Sequence, residues 1–414
     1  MTDASVLLPF EPRRSSHALD GGGAATAARV SEARSGELID FVSRRGAVAP
    51  ATLDAESYPA LREHLVRSIL AAATPERADR LFPGDPQQLL RPFGGVSLGS
   101  GAAGVLFALA EAGAKVPTEL VDWLEGAVHG VEGPGPGLVD GLGGIALVLD
   151  RLGRPSAAAR LWKTIEQVPL ESLGTSLADG LPGLGLALLE RAPFRDGDAL
   201  CDRVFAIAEE LVRRLEDQAE SMRRPGLLHG GAGAALFLLH VYEMTADVRM
   251  LDHVERALRR DLAFLGWDSL AADRTPQLWR TRPLLGSGSA GVAMVLHEAM
   301  SYLDEPWVAE ARDGIAAACE QQVGAHAGLF HGWAGTLVGL QYLRSRPWDP
   351  VAVRREVVRT QLERLGHPAA HSRIPYVGLD AARSSADLGT GAAGVLLALE
   401  HLLGDGERRL PLFW

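Results

Sequence analysis

Only two cysteines occur in the 414 residues, Cys201 and Cys319, and they form no Cys-x-x-Cys pair. A disulfide framework is therefore not expected, and a reducing cytoplasm is the compartment that fits. No apolar run reaches 18 residues, and the N-terminal MTDASVLLPFEPRRSS is too short in apolar residues for a signal peptide. Aromatics are scarce at 6%, while glycine is frequent at 47 residues. That mixture suits small residues packed between helices better than a β-sandwich. Basic residues are outnumbered, 41 against 52 acidic, for a net charge of −11, and there is no basic run. Nucleic acid is thereby excluded as the main partner, whereas a cationic or neutral peptide is compatible with that charge.

What the chain does have is repetition. SGAAG (Ser100–Gly104), DGLGG (Asp140–Gly144) and DGLPG (Asp179–Gly183) are followed by HGGAG (His229–Gly233) and SGSAG (Ser287–Gly291). HGWAG (His331–Gly335) and TGAAG (Thr390–Gly394) complete the set. The first glycines are spaced by 40, 39, 50, 58, 44 and 59 residues. Each motif runs into a stretch that is apolar nearly all round, such as VLFALAEAG, AALFLLHVYE or VLLALEHLLG, which reads as a buried helix. An amphipathic segment precedes each motif, as in ESYPALREHLVRSILAAA, TELVDWLEGAVHG and WVAEARDGIAAACEQQ. The unit reads as outer helix, loop, glycine motif, inner helix, and repeats of this length build arrays or rings. Seven buried inner helices find dry faces only in a closed ring, so an all-α, seven-fold α/α toroid is expected, a double ring of inner and outer helices. The toroid is expected over residues 54–414. Residues 1–53, rich in Ala, Gly, Ser and Arg, read as a flexible segment with one helix near 36–45. The insertions 266–283 and 366–387 have room for short strands.

The residue before the first glycine is Ser, Asp, Asp, His, Ser, His and Thr in order. Five of these are good N-cap residues, which is their plain structural reading. His229 and His331 break the rule within otherwise regular repeats, and such breaks mark function. Closure would gather all seven positions at one end of the barrel. Helix N-termini with exposed N–H groups would favour negative charge there, and the two imidazoles, flanking Ser287, could move protons beside an oxyanion or enolate. A capping or core role for the histidines is the alternative.

Seven such motifs in register, from about Leu81 to the C-terminus, resemble the lanthionine synthetase C-like (LanC-like) cyclases. The segment ATPERADRLFPGDPQQLL (Ala73–Leu90) resembles the entry to the cyclase domain of class III lanthipeptide synthetases. The resemblance implies a cytoplasmic enzyme that adds cysteine thiols across dehydroalanine or dehydrobutyrine in a precursor peptide, forming thioether rings. It also implies a kinase and lyase partner, domain or chain, that performs the dehydration. This chain has no HRD-type loop, no DFG and no phosphate-cradling glycine loop to do so itself.

Zinc-dependent members hold their metal with two cysteines and a histidine. At the matching positions this chain has Gly286, Phe330 and His331, so two ligands are missing and no cofactor or metal is expected. A rebuilt set of His229, His331 and His326 is the minor alternative. The family's catalytic histidine matches His229, while its catalytic aspartate would fall near Ser176 and is absent. His229 and His331 are thus the catalytic candidates. Asp140, Asp179, Ser287, Trp333, Arg280 and Arg282 are the candidates for substrate binding, although N-capping suits the two aspartates, salt bridges suit the two arginines, and core packing suits Trp333 as well as a place on the cavity floor does. Two other classes stay open. One is a non-catalytic module that binds peptide or supports a kinase. The other is a toroid glycosidase using Asp140 and Asp179 as its carboxylate pair, against which seven motifs and few aromatics speak. A prenyltransferase-like toroid lacks its aspartate-rich run.

Overall fold

The computed structural model describes residues 53, 56–91, 93–129, 135–191, 197–217, 224–267, 283–320, 326–343, 376, 379 and 384–404. The chain divides into two units, Met1–Ala51 and Thr52–Trp414. The first unit, with the helix expected near 36–45, lies outside the described residues, as do most of the two insertions. Among the described residues there is no strand, and no helix is long and apolar enough to cross a membrane.

Seven helices carry the apolar runs that follow the glycine motifs. They are α3 (Ala102–Glu111), α5 (Leu142–Arg151), α7 (Leu181–Arg191), α9 (Gly231–Thr245), α11 (Ser289–Ala299), α13 (Trp333–Leu343) and α14 (Ala392–Leu403). Between them run α4 (Thr118–Val128), α6 (Pro155–Glu166), α8 (Gly197–Glu216), α10 (Arg249–Phe264) and α12 (Pro306–Cys319), each apolar on one side only. Helix α1 (Tyr58–Ala71) and the short α2 (Gln87–Leu90) come before the first motif. Each of the seven packs against the next, and α14 returns to α3, so the inner ring closes. Its helices are buried on nearly every side, as all-round apolarity requires.

The pairing of layers differs from the expected unit. Each outer helix packs more extensively on the inner helix that precedes it than on the one that follows. Connection length explains this. Only residues 152–154 separate α5 from α6, and 246–248 separate α9 from α10, whereas 167–180 lie between α6 and α7. Gly153, at φ 76°, is the left-handed residue that ends α5 and turns the chain outward. Helix α1 therefore serves as the outer helix of the last repeat. It packs on α14, and Tyr58 Oη donates a 2.6 Å hydrogen bond to Glu400 across almost the whole chain.

The backbone closes the ring a second time. Two residues before each first glycine, an N–H donates to the carbonyl of the same position in the next motif. The circuit runs Gly99, Val139, Ala178, Leu228, Gly286, Phe330, Gly389 and back to Gly99, at 2.8–3.0 Å. One residue earlier, every motif has a buried leucine, from Leu98 to Leu388. The second glycine follows from that leucine. A Cβ on Gly335 would sit 1.8 Å from the Leu329 carbonyl oxygen and 2.7 Å from Leu285 Cβ of the neighbouring motif.

The expected N-caps are not made. At motifs 1, 2, 4, 5 and 7 the cap position is the first glycine, in extended conformation and without any side-chain bond. The loop folds back so that first-turn amides reach carbonyls seven residues earlier: Ala102 to Gly95, Leu142 to Gly135, Leu181 to Gly174, Trp333 to His326 and Ala392 to Ser385, at 2.8–3.0 Å. These amides are used by the chain itself, so the expected array of exposed N–H groups is not there. The side chains of Ser100, Asp140, Ser287 and Thr390 are left free of capping duty.

Candidate functional site

The motifs order the mouth of the barrel into layers. The leucine layer is core. Above it, Gly99, Val139, Ala178, Leu228, Gly286, Phe330 and Gly389 form a floor without one polar side chain, held flat by the backbone circuit. Above that stand Ser100, Asp140, Asp179, His229, Ser287, His331 and Thr390, all polar. An open bowl lies over this floor, and His229, His331, Asp140, Ser100 and Thr390 line it. Closure thus brings the two histidines, 102 positions apart in the chain (331 − 229), into one cavity.

Both imidazoles are held neutral. Burial pushes His331 down to about 4. The adjacent His229, Arg91 and Arg224 act the same way, and the Asp85 carboxylate opposes them. His229 is also lowered, first by burial, with Asp179 opposing and Arg91 and Arg224 assisting. Ser176 sets the orientation of His229. Its hydroxyl donates to the Leu228 carbonyl at 3.0 Å and accepts the Ala178 amide at 3.1 Å. The serine oxygen, 3.3 Å from His229 Nδ1, can then only accept from that nitrogen. This arrangement favours the tautomer with the proton on Nδ1 and the lone pair on Nε2.

Other expected site residues fare differently. Asp140 lines the bowl, paired with Arg91. Asp179 is exposed beside His229, and Ser287 is half-buried; neither lines the bowl. Trp333, for which substrate contact and core packing are equal readings of the sequence, is buried in the first turn of α13 and belongs to the core. Arg280 and Arg282 lie outside the described residues. Four lining or flanking groups were not read from the sequence: Asp85, Arg91, Arg224 and Asp387. Asp85 and Arg91 bracket α2, which reaches the bowl only through tertiary packing. Asp387, fully buried, accepts the amides of Asp85 at 3.0 Å and Thr390 at 2.6 Å, and burial raises its carboxyl. Its position four residues before a first glycine was the one available signal.

The residues at the zinc-ligand positions do not fit a metal. Gly286 has no donor, and a Cβ there would already lie 2.9 Å from Phe330. Phe330 places an apolar ring in the floor, leaving His331 as the single donor. No group of three His, Cys, Asp or Glu residues suited to a metal exists among the described residues, so His229, His331 and His326 do not form one. Cys319 is buried in α12, its thiol pushed up to about 12, and Cys201 sits on α8.

Two buried groups titrate across the same range with opposite signs. His331 falls from 6.5 to about 4 on folding, so its contribution to stability is lost as the pH drops through that window. Asp261, under the fourth motif, rises from 3.8 to about 6, so its contribution grows as the pH drops. Urea unfolding between pH 4 and 6.5 checks this. The stability of the natural protein relative to His331→Asn is expected to rise with pH, and relative to Asp261→Asn to fall. Parallel curves in either comparison contradict the assignment.

The bowl's surroundings match known proteins in both sequence and fold. The chain is 36% identical over 376 residues to a probable SapB synthase of Streptomyces coelicolor, an alignment that covers 88% of this chain. The chain spans 40% of that protein's length. The structure of a nisin cyclase superposes with a TM-score of 0.53 at 16% identity, over 76% of this chain and 90% of the cyclase. An α-1,6-mannanase of Salegentibacter overlaps at a TM-score of 0.39 and 10% identity, too loosely to bear on fold or function. No family model matches the chain.

Proposed function

We propose that this chain is a lanthionine synthetase C-like domain, the cyclase part of a lanthipeptide synthetase of the zinc-lacking, class III kind. Its substrate is a precursor peptide carrying dehydroalanine or dehydrobutyrine together with cysteine, delivered by a kinase and lyase domain or partner chain. The sulfur attacks the alkene Cβ, the π electrons move through Cα onto the carbonyl oxygen as an enolate, and the thiol proton returns to Cα. Atoms and charge balance without a cofactor.

The observation that carries this reading is the pair of neutral imidazoles in one bowl. His229, with Nδ1 engaged by Ser176, offers Nε2 as the base that takes the thiol proton and later returns it to Cα. His331 is too weakly basic, at about 4, to share that task near neutral pH. A neutral imidazole can still donate a hydrogen bond to an enolate oxygen, and this is the role we assign it. Arg91 and Arg224 help to keep both imidazoles neutral, while Arg91 is itself paired with Asp140 in the bowl wall. The apolar floor, in place of a metal-binding one, is what supports a zinc-free route. A thiol of ordinary pKa near ~8.5 is already ionised to a few per cent at pH 7, so base assistance and alignment suffice.

The test is cyclisation of a dehydrated, cysteine-containing peptide, followed by thiol alkylation and mass spectrometry, with and without a metal chelator. Ring closure faster than in buffer and unaffected by chelation is expected. Binding without acceleration would instead favour a peptide-holding module, and loss of rate on chelation would overturn the zinc-free assignment.

A further inference from the structure

Asp261 is the one fully buried carboxylate among the described residues that reaches a motif loop from the outer layer. It projects from α10 and accepts three backbone amides of the loop that carries His229: Gly226 at 3.0 Å, Gly231 at 2.8 Å and Ala232 at 2.9 Å. In motifs 1, 2, 6 and 7 the two equivalent first-turn amides bond to loop carbonyls seven residues earlier. In the fourth motif a side chain does that work. The replacement is tight, since a Cβ on Gly230 would lie 2.6 Å from Asp261 Oδ2.

We propose that Asp261 is a positioning residue for His229. It grips the loop on both sides of the histidine, before it at Gly226 and after it at Gly231 and Ala232, while Ser176 orients the ring itself. A loop tied to its own carbonyls can drift as a unit. A loop tied to an outer helix is referenced to the rigid second layer, and a sub-ångström error at a reacting group is costly. The role rests on the cyclase reading for its consequence, but not for its geometry.

The experiment compares Asp261→Asn with Leu258→Ala, a cavity in the same helix at a fully buried site. The amide of Asn turns an NH2 towards amides that need acceptors, so at least one grip is lost. For Asp261→Asn, kcat is expected to fall about 10- to 100-fold with KM within about 3-fold. The His229 ring resonances at pH 7 are expected to move. Leu258→Ala is expected to lower the Tm while keeping both kcat and those resonances. If Asp261→Asn does not fold, Asp261→Ser, which keeps one acceptor, takes its place. Unmoved resonances and kcat in the aspartate variant, or equal movement in Leu258→Ala, overturn the proposal. If the natural protein closes no rings, the resonances still decide it, so the two failures are separable.

Discussion

Replacing His229 and His331 together by Asn is expected to slow ring closure by about 10²- to 10⁴-fold, the range general acid–base assistance supplies. The floor is the spontaneous addition of thiols to dehydroamino acids. Asn preserves polarity and approximate size at both positions but can neither accept a thiol proton nor return it to carbon. The single variants are expected to be unequal. His229→Asn removes the bowl-lining imidazole to which we assign the base role, so it should account for most of the loss. His331→Asn removes a neutral hydrogen-bond donor that the Asn amide partly replaces, so a loss of about 10-fold or less is expected. The pH profile separates the roles. The acid limb of the rate should vanish with His229→Asn and persist with His331→Asn, whose imidazole titrates only at about 4. Time courses of thiol alkylation, read by mass spectrometry together with ring pattern, are the measurement. An unchanged rate and pattern in the double variant would remove the acid–base mechanism and leave only templating.

Gly335→Ala should cost the fold as much as the histidines cost the chemistry. The added methyl would meet the Leu329 carbonyl at 1.8 Å and Leu285 Cβ at 2.7 Å. Neither neighbour can yield cheaply. The carbonyl belongs to the backbone beside Phe330, a member of the seven-residue circuit, and Leu285 is fully buried under the adjacent motif. A loss of at least ~3 kcal/mol is expected, with a Tm lowered by about 10 °C or failure to fold. Gly339→Ala is the control. It lies one helical turn further along α13, where a Cβ would have only ordinary contacts, the nearest at 3.4 Å. It should melt within a few degrees of the natural protein. Equal behaviour of the two variants would mean that the close approach of motifs is not what closes the ring.

Much of the architecture was legible because the repeat spells it out. All-round apolarity after each glycine motif implies burial, and seven such runs imply closure, which the inner ring and the backbone circuit bear out. The pairing of helices into inner-then-outer hairpins was not read from the sequence, because the repeat's phase hid the short connections that set it. The capping expectation failed for a definite reason. An oxygen side chain before a glycine suits an N-cap, but here the glycine itself is the cap and the loop's own carbonyls take the amides. Local propensity does not reveal a loop folding back on a helix start.

The sequence alone determined the number of repeats, the polar and apolar layers at fixed offsets from each first glycine, and the missing donors at Gly286 and Phe330, because these are properties of register within one short motif. Only the tertiary structure decided what surrounds the histidines. Asp85 and Arg91 come from a segment ahead of the ring, Ser176 from the preceding motif and Asp261 from an outer helix. These groups meet only because seven turns of chain close on themselves, and that closure depends on distances in space which no local spacing encodes.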